Sequence, residues 1–136
     1  NEKFCDKYLD TWRELGLNNV AISLHAVDEK EQAAVYGVES YPALEAIVSN
    51  VEKHGLGVRA TLLLRKGGVD NYKKYESAIN TLIDKGIDNI TSWPVSNPDG
   101  ARTEYTPSRL SLFGIRMCPL DPGLWLKRLG GSRHTV

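Results

Sequence analysis

Cysteine is scarce in this chain: Cys5 and Cys118 are the only two among 136 residues, and they lie far apart. Two lone thiols make no C-x-x-C pair, no zinc spacing and no disulfide framework. Such usage belongs to a reducing compartment, so a cytoplasmic protein is expected. An excess of one charge is lacking too. Lys and Arg number 17 and Asp and Glu number 17, so no basic surplus points to nucleic acid and no like-charge block to an interaction tail. No apolar run approaches the roughly 20 residues of a membrane span. The first turns are charged and helix-like, unlike a signal peptide. P-loop, G-x-G-x-x-G, H-E-x-x-H and EF-hand signatures are all missing. Nothing local therefore licenses phosphoryl transfer, hydride transfer or hydrolysis.

What is present is an alternation of apolar periods. At this length a single domain is expected, large enough to hide roughly two-thirds of its unfolded surface. Residues 2–15 carry Phe4, Tyr8, Trp12 and Leu15 at helical spacing, closed by Gly16. V-A-I-S-L-H-A within 19–26 reads as a strand. Asp28 caps a short helix that runs to Tyr36 and stops at Gly37. Pro42 starts another helix, with Leu44, Ile47, Val48 and Val51 as its buried stripe and His54-Gly55 as its end. A second strand, 57–65, has so few polar residues that both of its faces are expected to be covered. Helix 71–85 follows, with Tyr72, Tyr75, Ile79, Leu82 and Ile83 on one face. A third strand spans 88–95, and beyond it Pro98, Gly100 and Pro107 make the chain loop-like. Short helices are expected over 107–113 and 121–129.

Strands separated by helices make a parallel sheet with right-handed crossovers. Three strands, 19–26, 57–65 and 88–95, are too few to close a barrel. The fold class is α/β: a small open sheet or a fragment of a TIM-like (β/α) barrel. One half-barrel domain is expected over 1–129, with a flexible tail over 130–136. The chain opens on Asn1, already in helix pattern, and is read as a piece of a larger protein.

Chemistry in such units lies beyond the carboxyl ends of the strands. Ser23 and His25, two apart on one strand, share a face. They are either a ligand-facing pair or a satisfied polar strand end. Arg59, inside an apolar strand, needs a partner, either a ligand carboxylate or an Asp or Glu of the protein. Lys66-Gly67-Gly68-Val69-Asp70 offers close backbone approach to a ligand, or simply a turn. Asn97, opening Asn97-Pro98-Asp99-Gly100, can read a ligand through its amide, or begin a turn. Trp93 is expected in the core, His54 in contact with a helix dipole, and Cys118 as a buried structural thiol.

Taken in order, S-L-H-A, the Y-P-x-L-E helix, V-R-A-T-L-L-L-R-K-G-G-V-D and S-N-P-D-G resemble the radical S-adenosylmethionine superfamily, most of all its RNA adenine-methylating branch. The resemblance covers about residues 10–100. It implies the second half of a six-stranded partial (β/α) barrel. It also implies an S-adenosylmethionine pocket touched by Ser23, Leu24, His25 and Asn97, with Arg59 on the methionine carboxylate. The family's C-x-x-x-C-x-x-C, which holds a 4Fe-4S cluster, has no counterpart here. The cluster and the 5′-deoxyadenosyl radical would therefore belong to a longer parent, an activating enzyme or a methyltransferase-like one. The chain alone is expected to be inactive and to hold neither group. Balanced charge gives an RNA substrate no support. A half-barrel would leave a strand edge open, through which the chain is expected to dimerise. The other readings are a non-enzymatic α/β binding or scaffold domain and a slice of a different (β/α) barrel.

Overall fold

Why these segments fold as they do is visible at their ends. In a computed structural model, which describes residues 2–117 and 134–135, with side chains over 7–116, the order is α1 (Glu2–Glu14), β1 (Asn19–Leu24), α2 (Glu29–Tyr36), α3 (Leu44–Lys53), β2 (Gly57–Leu64), α4 (Tyr72–Asp84), β3 (Asn89–Pro94), α5 (Arg109–Met117) and β4 (His134–Thr135). Asp28 caps α2 by accepting from the Glu31 N–H, and Gly37 ends it in the left-handed region at φ +66°. An L-residue with a Cβ enters that region at a cost, which is why glycine stops the helix there. Asn71 caps α4 by accepting from the Lys74 N–H.

The sheet has strand order β1-β2-β3-β4, and every pairing is parallel. Sequential order with helical crossovers of one hand places the intervening helices on the same side. Burial follows that rule. Leu24, Val58, Ala60, Leu62, Leu64 and Ile90 join Leu9 of α1, Leu44, Val48 and Val51 of α3, Tyr75, Ile79 and Leu82 of α4 and Ile115 of α5 in one core. The alternate residues Ala21, Ser23, Arg59 and Trp93 are exposed on the other side.

Several expectations need correction. β2 is covered on one face rather than two, because its crossovers all return to the same side. Arg59 and Thr61 already mark the uncovered face. Trp93 is 57 % exposed and not core. It pairs in register with Leu63, whose side chain points to that same open side. On α1 the deeply buried residue is Leu9, whereas Trp12 is 38 % and Leu15 81 % exposed. Phe4, Cys5 and Cys118 lie outside the described side chains, and helix 121–129 lies outside the described residues. Within the expected tail, His134–Thr135 pairs with Ile90 and Thr91 as a two-residue strand. His54 ends α3 and also binds Asp10 of α1 through Nδ1 at 2.6 Å, so it ties two helices together.

Candidate functional site

The carboxyl ends of β1, β2 and β3 converge on one rim, and each is held by a different device. At β1 the device is Gln32 of α2, only 1 % exposed. Its Oε1 accepts from the N–H groups of His25 (2.8 Å) and Ala26 (3.0 Å), and its Nε2 donates to the Ser23 carbonyl at 3.2 Å. The Tyr36 hydroxyl donates to the same carbonyl at 3.1 Å. One buried carboxamide thus satisfies three backbone groups where the strand runs out of ladder partners.

At β2 the chain makes a tight turn. Gly67, at φ +82°, donates its N–H to Asp70 Oδ2 at 2.8 Å, and Lys74 pairs with Asp70 Oδ1 at 3.0 Å. Burial pushes the Asp70 carboxyl up. The Gly67 N–H, Lys74 and Asn71 outweigh that and hold it below its ordinary range. The Lys66 N–H donates to the Tyr105 carbonyl at 2.7 Å, joining this turn to the loop after β3. In that loop Asn97 begins a turn: its N–H donates to Ala101 and its carbonyl accepts from Gly100.

The structure brings together some of the expected residues and separates others. Ser23 and Arg59 share the open face, in rows set by Ser23↔Thr61↔Thr91 and Ala21↔Arg59↔Asn89. Arg59 Nη2 donates to Thr91 Oγ1 at 2.8 Å, so a hydroxyl rather than a carboxylate meets it. Leu24 is fully buried among the helices, so only its backbone can face a ligand. Asn97 is exposed, with its backbone committed to the turn. His25 is half-buried, with its ring edge-on to Tyr36 at 5.6 Å between centroids. Burial, then the nearby Arg65 guanidinium, holds the His25 pKa below its ordinary value.

His25 borders three adjoining clefts. One of about 400 Å³ lies toward Gly67, Gly68 and Lys73. A second of about 560 Å³ lies toward Arg65, Val95 and Tyr105. A third of about 620 Å³ lies over Leu63 and Trp93. Gln32, Tyr36, Thr91 and Arg65 did not stand out in the sequence. Gln32 and Tyr36 lie on a helix with no functional signature. Arg65 was overshadowed by the Lys66-Gly67-Gly68 run beside it.

Among the described residues, no group of three or more His, Cys, Asp or Glu side chains could hold a metal ion. No helix among them is long and apolar enough to cross a membrane. What the fold and rim define is a parallel α/β sheet with helices on one side and an open face on the other. No family model and no curated protein matches the chain.

Proposed function

We propose that this chain is the carboxyl-terminal half-barrel of a radical S-adenosylmethionine enzyme, its open sheet face forming a wall of the cofactor pocket. The observation that carries the reading is the uncovered face itself. A sequential parallel sheet with helices on one side exposes the surface that a barrel turns inward. That surface bears Ser23, Thr61 and the Arg59–Thr91 pair.

These side chains suit the cofactor. Hydroxyls and a guanidinium can bind its amino, hydroxyl and carboxylate groups, and the half-buried His25 stands at the rim beside them. Ser23, His25 and Arg59 would hold it, with the Leu24 backbone alongside and Asn97 contributing from the loop. When bound, S-adenosylmethionine supplies a sulfonium that is cleaved reductively. A 4Fe-4S cluster does not fit this chain, because two cysteines cannot provide three thiolates. The cluster ligands would come from a preceding half. The protein is read as cytoplasmic, and its partners as the small-molecule cofactor and, through the open β1 edge, a second copy.

The coding sequence upstream of Asn1 tests the reading. A C-x-x-x-C-x-x-C within about three further βα units, at roughly 30 residues each, is the expected result. A start codon beside Asn1 with no such triplet would sink it. Anaerobic iron–sulfur reconstitution of this chain alone should leave it colourless.

The turn roles of Asn97 and Asp70 favour a second reading, a non-enzymatic α/β scaffold. Alanine at Ser23 or His25 in the full-length parent separates the two. Lost activity at unchanged Tm belongs to the enzyme, and parallel loss of activity and stability to the scaffold.

A further inference from the structure

Two of the three clefts that His25 borders, the one toward Lys73 and the one toward Arg65, hold an imbalance that no structural role absorbs. His25 Nδ1 and Arg65 Nε are both buried atoms without a hydrogen-bond partner. Buried polar nitrogens are nearly always paired, so two orphans in one place need a reason. Both side chains are only half-buried as a whole, and both line the cleft toward Val95 and Tyr105. Lys73 of α4 faces the smaller cleft, is exposed, and has no ion-pair partner among the described residues. Lys74 is beside it but already neutralised by Asp70.

We propose that these clefts form an oxyanion site for a phosphate-class group of a small ligand, held by His25, Arg65 and Lys73. The three donors come from the end of β1, the end of β2 and α4. Three donors on three separate elements can each meet a different oxygen of a tetrahedral oxyanion, which offers more acceptor atoms than a carboxylate. Glu31 of α2 borders both clefts and is the one opposing charge among their lining side chains. The inference holds whether or not the open face binds S-adenosylmethionine, because its test uses an inorganic ion and reads the side chains directly.

A bound anion must also raise the His25 pKa, by the same coupling through which protonation strengthens anion binding. The titratable and charged groups around the imidazole are Arg65, directly after β2, Glu31 and Tyr36 of α2, and Lys73 and Lys74 of α4, which line the same cleft.

The experiment is a sulfate titration of the full chain, followed by NMR of the His25 ring and the Arg65 Nε–H, against sodium chloride at matched ionic strength. Sulfate keeps its charge through the His25 titration. Saturable shifts at both groups and a raised His25 pKa are expected. Affinity should fall ~10-fold or more in Arg65→Gln, as for loss of a charge-assisted hydrogen bond. Lys73→Gln, at an exposed position, should weaken binding several-fold without disturbing the fold. Malonate in place of sulfate should bind more weakly. Shifts no larger than those with chloride, affinity unchanged in both variants, or tighter binding of malonate would overturn the proposal.

Discussion

Gln32 shows how one side chain can set the geometry of a rim without touching a ligand. Its amide replaces the hydrogen-bonding partners that β1 loses at its end, and it does so from a buried position where water cannot substitute. Truncation leaves two N–H groups and a share of a carbonyl unsatisfied, at about 1–3 kcal/mol for each fully buried group. Because His25 is only partly buried and Ser23 is exposed, Gln32→Ala should destabilise by about 2–4 kcal/mol in urea titration and shift the His25 resonances. A loss under about 1 kcal/mol would mean that water reaches this strand end. Such a residue was not legible in the sequence, where Gln32 stands among charged residues of a short helix. Its role depends on where α2 packs, and only the fold supplies that. Ser23 and His25 were legible because alternation on a strand needs no tertiary knowledge. Trp93 was misplaced because an aromatic in a strand reads as core until the side of the crossovers is known.

At the scale of elements, the local signals were sufficient. Asp28 and Gly37 bound α2, and His54 closes α3, as their residue types require. The strand limits agree to within one or two residues, the usual scatter of such boundaries. On α1 the stripe was displaced. Tyr8, Trp12 and Leu15 are regularly spaced, yet among the described side chains of this helix Leu9 is the buried one, because its place in the core selects the face and hydropathy alone does not. The β2–α4 connection has a measurable element-scale consequence. Asp70 closes the turn through Gly67 and anchors Lys74, so Asp70→Ala should cost about 1–2 kcal/mol at neutral pH. The Asp70 pKa is lower in the folded chain than its ordinary 3.8. Its stabilisation is therefore fully present above that value and is lost as pH falls through the folded pKa. The gap between wild type and Asp70→Ala in denaturation curves should hold from neutral pH down to about 4 and then close. A gap that stays constant to pH 2 would show that the carboxylate charge contributes nothing to the turn.

Taken as a whole, the molecule pairs a well-filled core on one side of the sheet with unfinished surfaces elsewhere. The open face is polar along the Ser23–Thr61–Thr91 row, from exposed Ser23 to Thr91, which is buried and bound by Arg59. The β1 edge is different. Among the described residues β1 has one strand neighbour, β2, so its outer edge has no strand partner. Trp12, Leu15, Leu17 and Val20 border a shallow cleft at that edge. An unpaired strand flanked by exposed apolar side chains is a template for another chain, and nothing like an inward-pointing charge or an edge proline protects it. In a barrel the preceding strand would pair there. For this chain alone the available occupant is a second copy, joined edge to edge across a two-fold axis. Sedimentation equilibrium should therefore show a mass that rises with concentration. Leu15, 81 % exposed, contributes little to the monomer's core, and Leu15→Lys should leave Tm nearly unchanged. At the interface the same change removes a buried leucine contribution of about 1.5–3 kcal/mol and should weaken association ~10- to 100-fold. A wild-type chain that stays monomeric at high concentration would mean that α1 shields the edge. Association that persists unaltered in Leu15→Lys would move the contact to the open face, where Trp93→Lys is the variant that should then abolish it.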